Sequence, residues 1–103
     1  MNWKLFEELT QLHGVSGYER QVSSFIAERM DPYGDRQWID ANGNLIVFKK
    51  GTSPSAKKLL FCAHMDEIGL QVIKINDDGT LMVKGLGSCW IYTTYQSRVM
   101  FRN

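Results

Sequence analysis

At 103 residues, the chain has the length of one typical domain, with 44% hydrophobic residues, 22% charged residues and a formal net charge of +1. This balance gives no electrostatic basis for binding nucleic acid or an anionic membrane, and no apolar run is long enough to span a bilayer. Acidic residues near the N-terminus, where a signal peptide needs an apolar core, favour a cytoplasmic protein.

About the first 30 residues are predicted to fold into two helices. Apolar residues recur at three- and four-residue steps over residues 3–12, and Gly14 then suits a left-handed helix cap. A second apolar face runs from residue 17 or 18 to residue 30, where Asp31 precedes a proline. Ser16 and Glu19 have the spacing of a capping box at the start of that helix.

The helical period then disappears, and strands are predicted. Residues 36–40 and the β-branched and aromatic run 45–48 flank the turn signal Asn42-Gly43, which predicts a hairpin. Residues 59–63 are apolar throughout, which favours a strand in the middle of a sheet covered on both faces. Cys62 lies in this run and is expected to be a buried thiol in a reducing compartment.

The remainder of the chain is predicted to be all β. Residues 70–75 and 80–84 flank a tight turn, and a further strand begins at residue 98. We therefore place a domain boundary near Gly69, with an α/β portion over residues 1–69 and a β portion over residues 70–103. A central parallel strand needs more neighbours than these elements supply, so we expect the chain to be the beginning of a larger protein.

The segment His64-Met65-Asp66-Glu67 follows the apolar run, at the place where α/β sheets carry their chemistry. An imidazole suits a divalent transition metal, and a carboxylate two residues away can orient it. Glu67 is left open as a ligand, a base or a solvated carboxylate. Three protein ligands are needed for a catalytic zinc, so this chain alone supplies at most one partial site.

The same kinds of residue also have purely structural explanations, which remain alternatives to the metal site. A His and an Asp two apart often only bind loop backbone, and His13 is best explained as a helix-end residue. Cys62 with His64 is a weaker metal pair, because no CxxC motif follows. The aromatic residues Trp90, Tyr92 and Tyr95 are more often core or interface than a ligand platform.

Three motifs together resemble one known family. They are Gly14-Val15-Ser16-Gly17-Tyr18-Glu19, Asp40-Ala41-Asn42-Gly43-Asn44-Leu45-Ile46 and Ala63-His64-Met65-Asp66-Glu67-Ile68-Gly69-Leu70. In this order and spacing they resemble the N-terminal part of the glutamyl- and deblocking-aminopeptidase family of dinuclear metallopeptidases, some of whose members carry the name endoglucanase. The resemblance covers residues 3 to 85 and is weaker up to residue 103.

The resemblance implies a fold and a chemistry. It implies the N-terminal part of a mixed-sheet α/β catalytic domain, followed by the first strands of an inserted β-barrel that assembles large tetrahedral dodecamers. It implies that His64 is a metal ligand and that Asp66 is the catalytic carboxylate that orients it. Two divalent ions, zinc or cobalt, would act on the N-terminal bond of a peptide substrate, with the other ligands and the catalytic Glu outside these 103 residues.

Three hypotheses follow from these observations. The first is a metal-dependent aminopeptidase whose isolated 103-residue chain is inactive. The second is a non-catalytic α+β module for binding or assembly. The third is a related dinuclear hydrolase of another amide, such as a carboxypeptidase or a deacylase.

Overall fold

The computed structural model describes residues 2–89, 92 and 94–101. These form two helices and two antiparallel hairpins, and no helix among them is long and apolar enough to cross a membrane. In chain order the elements are α1 (Trp3–Thr10), α2 (Arg20–Met30), β1 (Arg36–Ile39), β2 (Leu45–Phe48), β3 (Gly69–Ile75) and β4 (Leu81–Leu86).

Helix α1 is confirmed but ends earlier than the apolar spacing indicates. The Asn2 side chain caps its first turn by accepting the amide of Leu5 at 3.2 Å. The helix ends at Thr10, and its C-terminal cap is Gln11 in the right-handed conformation. The prediction that Gly14 is a left-handed cap is wrong, because its φ is not positive and it packs against α2 instead.

Helix α2 starts two to three residues later than predicted and ends at Met30, as predicted. Its N-terminal cap is Glu19, which makes no side-chain capping hydrogen bond. The Glu19 carboxylate instead accepts the amide of Gly17 at 2.7 Å. The capping-box prediction is therefore wrong, and the Ser16 hydroxyl bonds elsewhere.

The first hairpin is confirmed. Strands β1 and β2 pair antiparallel, with Arg36 opposite Phe48 and Ile39 opposite Leu45. The turn between them contains Gly43 at φ 85°, in the left-handed region that favours glycine. The β2 strand is the one that α2 packs on, which fixes the hairpin beside the helix.

The second hairpin is also confirmed. Strands β3 and β4 pair antiparallel from Gly69 opposite Leu86 to Ile75 opposite Leu81, with an irregularity between Val72 and Lys74. In the described part of the chain the two hairpins belong to separate two-stranded sheets. The α/β class is thus observed as a small α/β arrangement of two helices and two small sheets.

The prediction of a buried central strand over residues 59–63 is wrong. This segment has no regular secondary structure, and Leu59, Leu60 and Phe61 are 79%, 86% and 90% exposed. An apolar segment becomes a buried strand only where neighbouring strands pair with its edges and other elements cover its faces. The described residues supply neither, so Cys62, expected to be buried, is exposed as well.

The described part of the chain builds little core of its own. Val22 is its one buried apolar side chain, at 7% exposure. The radius of gyration is 18.1 Å, whereas a compact domain of this size has about 13 Å. The further strand expected from residue 98 is not formed over residues 98–101, and its last residue, Arg102, lies outside the described residues.

Candidate metal centre at His64 and Asp66

A cleft of about 160 Å³ brings the three sequence motifs together. One wall comes from the start of α2, one from the turn between β1 and β2, and one from the segment before β3. Its lining residues are Glu19, Asn42, Gly43, Asn44, Ala63, His64, Met65 and Asp66. The predicted site residues His64 and Asp66 thus line the same concave surface.

The His64 ring is oriented by Asp66. Its Nδ1 lies 2.9 Å from the main-chain oxygen of Asp66 and 3.2 Å from the Asp66 Oδ1. Both partners are acceptors, so Nδ1 carries the proton in the neutral ring. The lone pair then lies on Nε2, and the side chain is 86% exposed. This is the arrangement in which an imidazole binds a metal through one nitrogen while a carboxylate holds the other.

Asp66 is itself held from its other side. The hydroxyl of Ser16 donates to Asp66 Oδ2 at 2.6 Å. This hydrogen bond above all, together with the residue's own backbone amide and His64, lowers the pKa of Asp66 against the opposing effect of desolvation. The carboxylate is therefore ionised and acts as an acceptor for both neighbours.

Glu67 binds the loop between the helices. Its amide donates to the carbonyl of Gly14 at 2.7 Å, and its Oε1 accepts the amide of Gly14 at 3.2 Å. Val15 and Glu67 also form an isolated parallel β-bridge. The carboxylate of Glu67 therefore has a main-chain hydrogen-bond partner in the 14–16 loop. This contact does not distinguish between the three roles left open for Glu67, which are ligand, base and solvated carboxylate.

Two glycines allow this close approach. A Cβ built on Gly14 would lie 2.6 Å from Cγ2 of Val22 and 3.1 Å from the carbonyl oxygen of Met65. A Cβ on Gly69 would lie 2.6 Å from both methyl carbons of Val15. Any side chain at either position would push the 14–16 loop away from the segment that carries His64.

The hairpin turn at the cleft is ordered by Asp40. Its carboxylate accepts the amides of Asn42 and Asn44 and the side-chain amide of Asn44, each at 2.9 Å. These hydrogen bonds, led by that of the Asn44 side chain, lower the pKa of Asp40. The turn thereby presents Asn42, Gly43 and Asn44 to the cleft as one rigid unit.

The donor set is that of part of a metal site. No group of three or more His, Cys, Asp or Glu side chains that could hold an ion forms within residues 2–89, 92 and 94–101. Neither His13 nor Cys62 joins His64 in such a group. Tyr92 and Tyr95 are 86% and 79% exposed and do not line the cleft, and Trp90 lies outside the described residues.

His64, Asp66 and the turn were predicted from the sequence and line one cleft, but the hydrogen-bond partners of Ser16 and Gly14 were not predicted. Both were explained by local helix signals, and their actual partners are about 50 residues away. The sequence feature that could have predicted these contacts is the occurrence of three motifs in a fixed order. Motifs that belong to one site are expected to lie close together in the folded protein, so residues of the first motif should contact residues of the third.

Comparison with known proteins shows the family to which the chain is similar. The sequence profile of the M42 glutamyl aminopeptidase family matches residues 43–103. The chain is 33% identical over 102 residues to a lysyl aminopeptidase of Pyrococcus furiosus, covering 98% of this chain and 29% of that protein. It therefore spans less than a third of the length of this curated relative.

Solved structures show the same similarity. An aminopeptidase from the archaeon Desulfurococcus kamchatkensis superposes with a TM-score of 0.81 at 42% identity, covering 87% of this chain and 25% of that one. An endoglucanase from Thermotoga maritima superposes with a TM-score of 0.72 at 43% identity, covering 80% and 26%.

Proposed function

The chain belongs to the M42 glutamyl aminopeptidase family, and on that basis we propose that the full-length protein is a metal-dependent aminopeptidase. It hydrolyses the N-terminal bond of peptide substrates. The observation that carries the proposal is the orientation of His64, whose Nδ1 is held by Asp66 and whose Nε2 is left for a ligand.

In this proposal His64 is a metal ligand and Asp66 is the carboxylate that positions it. The residues fit such a role, because the bond between Asp66 and His64 selects the tautomer that binds a metal through Nε2. When bound, a pair of divalent ions supplies Lewis acidity and lowers the pKa of water. Asp66 stays ionised, accepts the hydrogen bond from Nδ1–H of His64 and keeps the ring from rotating.

The remaining ligands and the catalytic Glu are proposed to come from residues beyond this chain. Since the described residues provide no group of three ligands, the chain contributes one imidazole and its orienting carboxylate. Zinc or cobalt is the proposed metal, because both accept imidazole and carboxylate ligands.

The domain division is part of the same proposal. Residues 1–69 would be the N-terminal part of a mixed-sheet catalytic domain, and residues 70–103 would begin an inserted β-barrel that assembles a homo-oligomer, a dodecamer by resemblance. The separation of the two hairpins into different sheets supports a boundary at Gly69. We further propose that the protein is cytoplasmic.

The test is an assay of the full-length protein, stripped with a chelator and reloaded with Zn²⁺ or Co²⁺. Aminoacyl p-nitroanilides are compared with the same compounds acetylated at the amine, and unblocked peptides are compared with the same peptides blocked at the carboxyl end. We expect turnover that returns with metal and needs a free amine. Release of acetate from the acetylated compounds would indicate a deacylase, cleavage of the unblocked peptides alone, with release of the C-terminal residue, would indicate a carboxypeptidase, and no metal-dependent turnover would indicate a non-catalytic module.

A further inference from the structure

Ser16 is the far end of a hydrogen-bonded chain that reaches the His64 ring. Its hydroxyl donates to Asp66 Oδ2 at 2.6 Å, and Asp66 Oδ1 lies 3.2 Å from Nδ1 of His64. Each carboxylate oxygen of Asp66 thus has its own partner. A carboxylate held at both oxygens has little freedom to rotate about its Cβ–Cγ bond.

The Ser16 hydroxyl has no other side-chain hydrogen bond in the described part of the chain. It does not cap α2, because the cap residue is Glu19 and no side chain caps that end. A hydroxyl used for local structure would bond to nearby main chain, as cap serines do. Here it bonds instead to the carboxylate that faces the candidate ligand.

The neighbours of Ser16 in the chain hold it close to the segment that carries Asp66. The residues on its N-terminal side are tied to Glu67 by the Gly14 hydrogen bonds and the Val15 bridge. Gly87, after β4, has φ 67°, and a Cβ built on it would lie 3.5 Å from the Ser16 Oγ. Ser16 therefore lies next to both the His64 segment and the start of the segment after β4.

We infer that Ser16 is a positioning residue that fixes the Asp66 carboxylate and, through it, the ring of the metal ligand His64. The inference rests on the proposed function, because it assumes that Nε2 of His64 binds a metal. Partners that orient a ligand from behind typically change metal affinity about 10- to 100-fold when removed. Ser16 contacts the ligand His64 only through Asp66, one hydrogen bond further from the metal. We therefore expect its removal to weaken metal binding by about tenfold, at the lower end of that range.

The test is a titration of metal-free full-length protein with Co²⁺, followed through its visible absorption spectrum. Ser16→Ala removes the donor, Ser16→Cys keeps the size with a weak donor, and Ser16→Thr keeps the hydroxyl. Ser24→Ala, on the exposed face of α2, is the matched control. Circular dichroism establishes that each variant is folded.

We expect Ser16→Ala and Ser16→Cys to bind Co²⁺ about tenfold more weakly with an altered spectrum, and Ser16→Thr and Ser24→Ala to match the parent. Should Ser16→Ala fail to fold, the comparison of Ser16→Cys with Ser16→Thr decides. Parent-like affinity and spectrum in the variants that lack the hydroxyl donor would overturn the inference. His64→Ala separates the two failures, since unchanged Co²⁺ binding in that variant would overturn the proposed metal centre itself.

Discussion

Gly14 and Glu67 hold each other through two hydrogen bonds, although 53 positions separate them in the chain. The Glu67 amide donates to the Gly14 carbonyl at 2.7 Å, and the Gly14 amide donates to the Glu67 Oε1 at 3.2 Å. This pair joins the loop between the helices to the segment of His64 and Asp66. The geometry of the candidate site therefore depends on a contact that lies outside it.

The first prediction concerns the space at Gly14. Gly14→Ala places a methyl group 2.6 Å from Cγ2 of Val22, and we expect it to lower the free energy of unfolding by about 1–3 kcal/mol. The measurement is urea unfolding of the full-length protein. In a double-mutant cycle, Val22→Ala removes the clashing methyl, so the pair should cost less than the sum of the single changes. Simple additivity would contradict the packing described here.

The second prediction concerns the Glu67 carboxylate. Glu67→Ala leaves the Gly14 amide without its side-chain acceptor and is expected to destabilise the protein by about 1 kcal/mol. Glu67→Gln keeps an acceptor oxygen and serves as the matched control, so its unfolding midpoint should stay close to that of the parent. Equal losses of stability in both variants would mean that the charge of Glu67, rather than this hydrogen bond, stabilises the folded protein.

The third prediction concerns pH. Hydrogen bonds from Asn44 and the turn amides lower the pKa of Asp40 from its ordinary value of 3.8. A carboxyl with a lowered pKa stabilises the folded state above its unfolded pKa, and this contribution is lost as the pH falls through the lower folded value. We expect the difference in melting temperature between the parent and Asp40→Asn to shrink as the pH falls below about 4.

The matched control for this prediction is Asp77→Asn, which removes a carboxylate from the exposed turn of the second hairpin. Its melting temperature relative to the parent should change less over the same pH range. An Asp40→Asn difference that is constant from neutral to acid pH would show that the ionised carboxylate does not order the turn.

The fourth prediction concerns the 103-residue chain by itself. Its described residues hold no group of three metal-ligating side chains, and its apolar segment at residues 59–61 is exposed. We expect it to hydrolyse no aminoacyl p-nitroanilide with Zn²⁺ or Co²⁺ and to bind a hydrophobic dye more strongly than the full-length protein. Metal-dependent turnover by the pure chain would refute the incomplete-site account.

The fifth prediction concerns His64. In the full-length protein, His64→Ala removes one imidazole ligand, so metal affinity and aminopeptidase turnover should fall together, each by at least about tenfold. The control is His13→Ala, because His13 lies in the loop after α1 and does not line the cleft. Full metal affinity and turnover in His64→Ala would remove this residue from the proposed site.

Local signals predicted the parts of the fold that local interactions stabilise. Asn42-Gly43 and the β-branched run after it specify a hairpin by themselves, and that hairpin is present, with Ile39 opposite Leu45. Residues 59–63 have an equally clear apolar pattern, yet they form no strand. A central strand depends on partners from elsewhere in the sheet, and the apolar pattern says only that such partners are required.

The site shows the same division. His64 and Asp66 are two residues apart, so their contact could be inferred from the sequence alone. Ser16 has the spacing of a helix cap, and nothing in that spacing shows that a charged acceptor from residue 66 competes for its hydroxyl. A hydrogen bond to an ionised carboxylate is stronger than a neutral capping hydrogen bond. This explains why the Ser16 hydroxyl bonds to Asp66 and does not cap α2.

The most direct test of the central claim is a crystal structure of the metal-loaded full-length protein, with anomalous scattering recorded at the absorption edge of the bound metal. We predict an anomalous peak about 2.0–2.1 Å from Nε2 of His64, with Nδ1 still bonded to Asp66. Metal peaks elsewhere, with His64 Nε2 bonded only to protein or solvent, would contradict the assignment of this residue as a metal ligand.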